Sequence, residues 1–296
     1  MGVSVIMALI INLWLVFALG TGAQAESVRN VPYVASAHVE QHLDFYWPTE
    51  RPDATVLFVH GGSLQENAER RDSPEYREVC DRFVAVGLGC ATIDYRLAPS
   101  FQWPAMPLDI AAAVVKVREL IEARGGDPAR LFLFGHSSGC HLAAILGANG
   151  EYLEAVGLST PDLAGVVAMG CVLDNRDAAV RGLTAAQIRG SFSQSRSDVA
   201  RFGTPENWIA ANPSYHIGPH TPPTLVVVAE EERFAPAILE QGARFVRRLR
   251  GWKVAADVVI VPGRHRSSIA TVGAPGDPTL AAVLAFIEAN SSAGSR

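Results

Sequence analysis

The sequence predicts an α/β fold with a mostly parallel central sheet and helices on both of its faces. Short continuous apolar runs, such as residues 55–59 and 224–229, are typical of strands that are buried on both sides. Helical patterns separate these runs, and such alternation indicates parallel strands joined by crossover helices. About 270 of the 296 residues remain once an N-terminal apolar segment is set aside, which is a normal length for one large α/β domain.

The individual elements follow from local signals along the chain. An early antiparallel strand is expected over residues 38–47, and a helix over 73–86 begins at Ser73, a favoured cap, and Pro74, a favoured first helical residue. A second helix over 107–123 has apolar residues at helical spacing and stops at a Gly-Gly-Asp-Pro sequence. The other predicted elements are strands at 89–95, 131–134, 163–172, 224–229 and 254–261, and helices at 139–147, 236–250 and 277–289.

The first 25 residues differ in character from the rest. An apolar run over residues 3–19 is followed by the small-residue triplet Ala-Gln-Ala, which predicts a secretory signal peptide cleaved after Ala25. We therefore expect a secreted or periplasmic protein whose α/β domain spans residues 26–296. No Lys or Arg precedes the apolar run, so an uncleaved membrane anchor stays open, and only in that case is a stable membrane partner expected.

Composition narrows the partners of this domain. The net charge of −5 and the 19% of charged residues provide no basic face, so no nucleic-acid partner is expected and a small or neutral partner is the default. Oligomeric state is not determined by the sequence. The four cysteines have no metal-binding spacing. A disulfide between Cys80 and Cys90 is geometrically plausible in an exported chain, whereas Cys140 and Cys171 are expected to be buried apolar thiols.

A Gly-His-Ser-Ser-Gly pentapeptide stands at the centre of the predicted fold. It occupies residues 135–139, between a strand and a helix, and its two glycines permit the close backbone approach that such a sharp turn requires. Ser137 lies at the apex of that turn. We therefore expect Ser137 to be a nucleophile.

A serine nucleophile needs a base and a group that orients the base. Of the eight histidines, His265 is placed to act as base, because it follows the last predicted strand. The orienting carboxylate is expected in the loop after the preceding strand, where three glutamates stand at residues 230–232. Glu232 is favoured because it lies four residues before Pro236, which opens the next predicted helix, and Glu230 is the alternative.

The tetrahedral intermediate of acyl transfer also needs backbone N–H donors. The predicted strand 55–59 runs into His-Gly-Gly-Ser at residues 60–63, whose backbone can supply them, and Ser138 offers a further N–H.

Residues 174–214 break the alternation, since they have no strong apolar period and are too long for a plain connection. Their place after a strand end makes them a candidate lid that brings Phe192, Phe202 and Trp208 over the site, with Phe192 and Trp208 contacting substrate. The alternative is a surface excursion without substrate contact.

These motifs together resemble the α/β-hydrolase superfamily. The strand followed by His-Gly-Gly, the sequence Asp-Tyr-Arg-Leu-Ala-Pro at 94–99, the pentapeptide, and a later acid and histidine are most similar to hormone-sensitive-lipase-like carboxylesterases and their kynurenine formamidase relatives. The resemblance spans about residues 45–290 and implies an α/β-hydrolase fold. It implies the triad Ser137, Glu232 and His265, with oxyanion donors at Gly62, Ser63 and Ser138.

The same resemblance implies that Asp94 and Arg96 brace the oxyanion loop. This sequence departs from the family pattern at two positions: Ser63 replaces the third glycine of the usual His-Gly-Gly-Gly, and the acid is Glu rather than the commoner Asp.

The expected function is hydrolysis of small-molecule carboxylic esters through an acyl-enzyme on Ser137, without a metal or an organic cofactor. Cleavage of aryl formamides is the alternative enzymatic reading. A hydrolase-like domain used only for binding is a further alternative, although such domains usually lack the serine or the histidine and this chain has both.

Overall fold

The computed structural model describes residues 26–66, 70–175, 196–231, 235–262 and 269–291. Glu232, His265 and Phe192 lie outside these ranges, as do residues 1–25. Within these ranges eight strands form one sheet, with bounds β1 Glu26–Pro32, β2 His42–Trp47, β3 Thr55–Val59, β4 Gly89–Ile93, β5 Leu131–His136, β6 Gly165–Met169, β7 Thr224–Ala229 and β8 Ala256–Val261. The helices are α1 Pro74–Ala85, α2 Ala105–Glu122, α3 Ser138–Ala148, α4 Glu151–Glu154, α5 Arg196–Phe202, α6 Pro205–Ala210, α7 Pro213–His216, α8 Ala235–Gly251 and α9 Pro278–Ser291.

The sheet is mostly parallel, as predicted. Its strand order is β1-β2-β4-β3-β5-β6-β7-β8, and only β2 runs antiparallel to its neighbours β1 and β4. The other six strands are parallel, so their carboxyl ends meet at one edge of the sheet. Every predicted site residue follows one of those carboxyl ends.

Helices cover both faces of the sheet. Alternate residues of β3 and β5 point to opposite sides, so that Leu57 and Leu133 pack with α2, α3 and α8, whereas Phe58 and Phe134 pack with α1 and α9. Both faces are apolar and fully buried at these strands, which explains the continuous apolar runs of the sequence. The predicted α/β class is confirmed.

Several element bounds differ from the sequence expectation, since β2 begins at His42 rather than at residue 38 and β6 spans Gly165–Met169 rather than residues 163–172. Strand β1 has no counterpart among the predicted elements, because five of its seven residues are exposed and it lacks an apolar face. Helix α2 begins at Ala105, two residues earlier than predicted, directly after Pro104.

Two disulfides join neighbouring elements. The bridge between Cys80 of α1 and Cys90 of β4 confirms the pairing that the sequence made plausible, with Cα atoms 5.4 Å apart. The expectation of free thiols at Cys140 and Cys171 is wrong, because these residues form a second disulfide at a Cα separation of 5.6 Å. Cys140 lies in the first turn of α3 and Cys171 two residues beyond β6, so the adjacent placement of β5 and β6 brings them together.

No helix within the described ranges is both long and apolar enough to cross a lipid bilayer.

Candidate active site

The backbone at Ser137 forms a sharp turn between β5 and α3. Ser137 has φ 55° and ψ −124°, a left-handed conformation that costs a residue with a side chain on the order of 1–3 kcal/mol. Its N–H donates a hydrogen bond to the carbonyl of Met169 at the end of β6, at 3.0 Å. The strand–turn–helix context predicted for the pentapeptide is confirmed, and the hydroxyl of Ser137 is presented at the carboxyl edge of the sheet.

Both glycines of the pentapeptide allow contacts between backbones. A Cβ atom on Gly135 would overlap the carbonyl of Gly139, and a Cβ atom on Gly139 would overlap the carbonyls of Val59 and His60. The start of α3 therefore packs directly against the end of β3. This contact places the first turn of α3, the helix that follows Ser137, next to the loop after β3 (the oxyanion loop), which contains the predicted donors Gly62 and Ser63.

The loop after β3 turns through three consecutive left-handed residues, with φ values of 104° at Gly62, 63° at Ser63 and 60° at Leu64. Its direction is set partly by His60, whose Nδ1 lies 2.8 Å from the carbonyl oxygen of Gly61. Since a carbonyl only accepts hydrogen bonds, Nδ1 carries a proton. In a trans peptide the N–H points opposite to the carbonyl, so this bond directs the N–H of Gly62 away from the His60 ring.

Ser138 is the first residue of α3, where backbone N–H groups have no partner within the helix. Its side-chain oxygen is buried and has no hydrogen-bond partner among the described residues. Because Ser138 directly follows Ser137 and its backbone N–H has no partner within the helix, this N–H is suited to bind an oxyanion. The assignments of Gly62, Ser63 and Ser138 as donors stay predictions.

A buried carboxylate lies beside both ends of the loop and is bonded to the chain where the loop returns. Asp94 is 1% exposed and lies just past β4. Its Oδ1 accepts a hydrogen bond from the backbone N–H of Arg71 at 2.8 Å and lies 3.7 Å from Nε2 of His60, while its Oδ2 pairs with the Arg71 guanidinium. The loop therefore starts and returns at the same carboxylate.

Arg96 does not share this role with Asp94. It forms a bidentate ion pair with Asp109 of α2, with nitrogen–oxygen distances of 2.8 and 2.9 Å, and its guanidinium lies over the Phe101 ring. Of the two residues expected to brace the oxyanion loop, Asp94 contacts it, whereas Arg96 fastens β4 to α2. Arg71 was not predicted from the sequence, because Arg71 and Asp94 are 23 residues apart and only the folded chain brings them into contact.

The other two predicted triad residues, Glu232 and His265, follow β7 and β8 in the sequence and lie outside the described residues. Their strands end side by side, with Ala229 paired to Val261 and the N–H of Glu230 bonded to the Val261 carbonyl at 2.7 Å. The loops that contain them thus begin at the same sheet edge as Ser137. The alternative acid, Glu230, is exposed.

The predicted lid is described at residues 174–175 and 196–214. Trp208 and Phe202 are 6% and 5% exposed and belong to the main core, where the rings of Phe202 and Trp103 lie 5.8 Å apart. The segment also reaches the oxyanion loop, because Nε2 of Gln65 lies 3.4 Å from the hydroxyl of Ser197. Substrate contact by Trp208 stays a prediction, as it does for Phe192.

The histidine next to the site on α3 is buried and structural. Nδ1 of His141 lies 2.9 Å from the carbonyl of Val172, and burial lowers the pKa of His141 below its ordinary value of 6.5. His216 and His220 point their Nε2 atoms at backbone carbonyls, at 2.9 and 2.8 Å. Within the part of the chain that the structure describes, no group of three or more His, Cys, Asp and Glu side chains is arranged to hold a metal ion.

Comparison with known proteins gives consistent matches to esterases. The model of the BD-FAE family matches residues 43–249. Esterase LipC of Mycobacterium tuberculosis is 27% identical over 244 residues, covering 80% of this chain and 58% of LipC. Esterase LipQ of the same organism is 33% identical over 164 residues, covering 45% of this chain and 38% of LipQ. This chain therefore spans less than two thirds of the length of either relative.

Solved structures share the fold at low sequence identity. Esterase B from Lactobacillus rhamnosis superimposes with a TM-score of 0.71 at 18% identity, covering 92% of this chain and 88% of that one. A truncated carbohydrate esterase from gut microbiota has the same TM-score and identity and is covered over 98% of its length. These likenesses establish the predicted α/β-hydrolase fold.

Proposed function

The chain belongs to the BD-FAE family, and from that premise we propose that it is a serine hydrolase that cleaves carboxylic esters of small molecules. The observation that supports the proposal most directly is the backbone of Ser137, held at φ 55° between a buried strand and a helix, beside the loop that follows β3. The esterases among its relatives and structural neighbours favour an ester over other acyl substrates. The resemblance to esterases of the α/β-hydrolase superfamily is confirmed.

In the proposed mechanism, the Ser137 hydroxyl attacks the ester carbonyl while His265 takes its proton. Glu232 fixes the tautomer of His265 and stabilises the imidazolium that forms. Backbone N–H groups of Gly62, Ser63 and Ser138 bind the oxyanion. His265 then returns the proton to the leaving alcohol, which leaves an acyl group on Ser137.

Deacylation repeats the same steps with water as nucleophile. His265 removes a proton from the water, the hydroxide attacks the acyl carbonyl, and the proton returns to Ser137 as the acid departs.

Export of the mature domain is part of the proposal. Residues 1–25 have the pattern of a signal peptide, and two disulfides are typical of proteins outside the reducing cytosol. A secreted or periplasmic location also fits an ester hydrolase better than an aryl formamidase, whose reaction belongs to cytosolic metabolism.

The proposal is tested with p-nitrophenyl esters of graded acyl length and N-formylkynurenine, using the chain from residue 26 onward. We expect turnover of the esters, and Ser137→Ala is expected to lower kcat by on the order of 10⁴-fold or more. Preference for N-formylkynurenine would favour the formamidase, and full ester turnover by Ser137→Ala would exclude Ser137 as the nucleophile.

The acid is identified by a matched pair of variants. Glu232→Gln is expected to lower kcat by on the order of 10²-fold or more, because the imidazolium of His265 loses its partner. Glu230→Gln, two residues away, is expected to keep wild-type kcat, and the reverse result would assign the role to Glu230.

A further inference from the structure

Two buried tyrosine hydroxyls form hydrogen bonds with one peptide unit at the start of the oxyanion loop. The carbonyl of His60 accepts a hydrogen bond from the hydroxyl of Tyr95 at 2.8 Å. The N–H of Gly61 donates to the hydroxyl of Tyr76 at 3.0 Å. This carbonyl and this N–H belong to the same peptide bond, so its plane is restrained from both sides.

The hydroxyl of Tyr76 also contacts the turn that contains Ser137. Its oxygen lies 3.3 Å from Nδ1 of His136, the residue directly before Ser137. A hydroxyl oxygen both donates and accepts, so the Tyr76 hydroxyl can accept from the N–H of Gly61 and hydrogen-bond Nδ1 of His136 in either tautomer of the imidazole. Tyr76 thus connects the residue before Gly62 with the residue before Ser137.

Both tyrosines are held rigidly. Tyr76 on α1 is 1% exposed and packs against the Phe58 ring at 5.0 Å, and Tyr95 is fully buried with its ring stacked on His60 at 4.4 Å. Their hydroxyls have little freedom to follow a loop that moves. The restraint therefore acts on the loop, not on the tyrosines.

We infer that Tyr76, together with Tyr95, is a positioning residue that fixes the oxyanion donors relative to Ser137. This inference rests on the proposed function. A preorganised donor is effective only if it lies where the negative charge develops, and a displacement of about 1 Å can cost on the order of 10²-fold in rate. Tyr76 is buried on α1, so its role in the inference is exerted through its contacts with Gly61 and His136.

Tyr76→Phe tests the inference, because it removes one hydroxyl and leaves the ring. The N–H of Gly61 then loses its partner in a buried place, and the loop shifts to find another. With a short p-nitrophenyl ester, we expect kcat to fall roughly 10- to 100-fold while KM changes less than about threefold. Affinity for an alkyl boronate, which forms a tetrahedral adduct with the serine, is expected to fall in parallel.

Tyr46→Phe is the matched control. Tyr46 lies on β2, is 4% exposed, and accepts a hydrogen bond from Arg29 at 3.5 Å, so the change also removes a bonded hydroxyl from a buried ring. We expect its kcat and boronate affinity to stay within about twofold of wild type. A merely structural role for Tyr76 would give the two variants the same kinetics.

Tyr95→Phe loosens the same peptide unit from its carbonyl side and serves if Tyr76→Phe is too unstable to purify. It is expected to lower kcat in the same way, and the double variant less than the product of the two effects, because both hydroxyls restrain one unit. Wild-type kcat in the folded tyrosine variants would overturn the inference alone. Wild-type protein that neither hydrolyses esters nor binds the boronate would instead overturn the proposed function.

Discussion

At the scale of single residues, His141 links the nucleophile helix to the strand beside it. Its Nδ1 bonds to the carbonyl of Val172, which requires a proton on that nitrogen and leaves the neutral imidazole in the fold. A second proton on Nε2 would place a positive charge in the apolar interior. Burial therefore lowers the pKa of His141, despite the favourable backbone hydrogen bond.

The lowered pKa of His141 predicts a loss of stability in mild acid. As pH falls through 6.5, the unfolded chain protonates this histidine to a greater extent than the folded chain, so the unfolded state binds more protons and the free energy of unfolding falls. Above pH 6.5 both states are neutral at this residue and the effect disappears. His141→Gln is expected to weaken the pH dependence between pH 7.5 and 5.5.

Urea unfolding at the two pH values measures this effect, with His38→Gln as control because His38 is exposed. The control is expected to keep the wild-type difference between the two pH values. An unchanged difference in His141→Gln would show that His141 does not contribute to the acid sensitivity.

At the scale of elements, the two disulfides close loops of different length. Cys80 and Cys90 are 10 residues apart, and Cys140 and Cys171 are 31 residues apart. The chain-entropy relation gives about 3 kcal/mol for the shorter loop and about 4 kcal/mol for the longer one. The longer bridge also fastens the first turn of α3 to the chain beyond β6, where the predicted lid begins.

Replacing each pair by alanine separates these contributions. The Cys140→Ala/Cys171→Ala variant is expected to lose about 4 kcal/mol of unfolding free energy in urea, against about 3 kcal/mol for Cys80→Ala/Cys90→Ala. Ester turnover is expected to fall further in the first variant, because Cys140 lies three residues after Ser137, whereas the other bridge reaches the site only through the tyrosines on α1 and just after β4. Wild-type turnover in the Cys140→Ala/Cys171→Ala variant would show that the α3 bridge has no influence on the site.

The elements differ in how well their sequence specifies them. Strands β3 and β7 are buried on both faces, so their apolar runs alone predicted the bounds correctly. Strand β1 pairs only with β2 at the sheet edge and has no apolar face, so no local pattern could reveal it. Helix bounds differed by one or two residues, because terminal residues depend on the packing of the loops around them.

The candidate site shows the same division. The Ser137 turn was predictable, because a Cβ atom on Gly135 or Gly139 would overlap neighbouring backbone, whereas the left-handed residues Ser63 and Leu64 of the loop after β3 have no such signal in the sequence. Tyr76 and Arg71 were not, since each meets the loop through contacts between distant parts of the chain. The disulfide between Cys140 and Cys171 likewise depends on the neighbouring placement of two strands.

At the scale of the whole molecule, a buried ionic network joins the antiparallel edge of the sheet to the site. Arg71 contacts Asp44 of β2 at 3.3 Å, Asn30 of β1 at 2.9 Å, and Asp94, while its side chain is only 13% exposed. Burial opposes its charge, but the nearby carboxylates Asp94 and Asp44 outweigh that effect and raise the pKa of Arg71. Strands distant from Ser137 thereby share one anchor with the oxyanion loop.

Removal of that anchor is expected to affect both stability and activity. Arg71→Met leaves the carboxylates of Asp44 and Asp94 buried with one fewer positive partner, and breaking such a pair costs about 3–5 kcal/mol. The control is Lys116→Met, whose ammonium lies 2.9 Å from a Glu119 carboxylate that is 58% exposed, and a surface pair of this kind contributes less than about 1 kcal/mol. Urea unfolding at pH 7 compares the two variants.

The activity of Arg71→Met separates anchoring of the loop from general support of the fold. Because Arg71 holds the return of the loop to Asp94, its loss is expected to lower kcat for short esters in protein that is still folded, whereas Lys116→Met keeps wild-type kcat. If Arg71→Met lost stability but kept full kcat, the network would stabilise the sheet edge without positioning the oxyanion loop. The loop would then be held by the tyrosine hydroxyls at His60 and Gly61 without help from the ionic network.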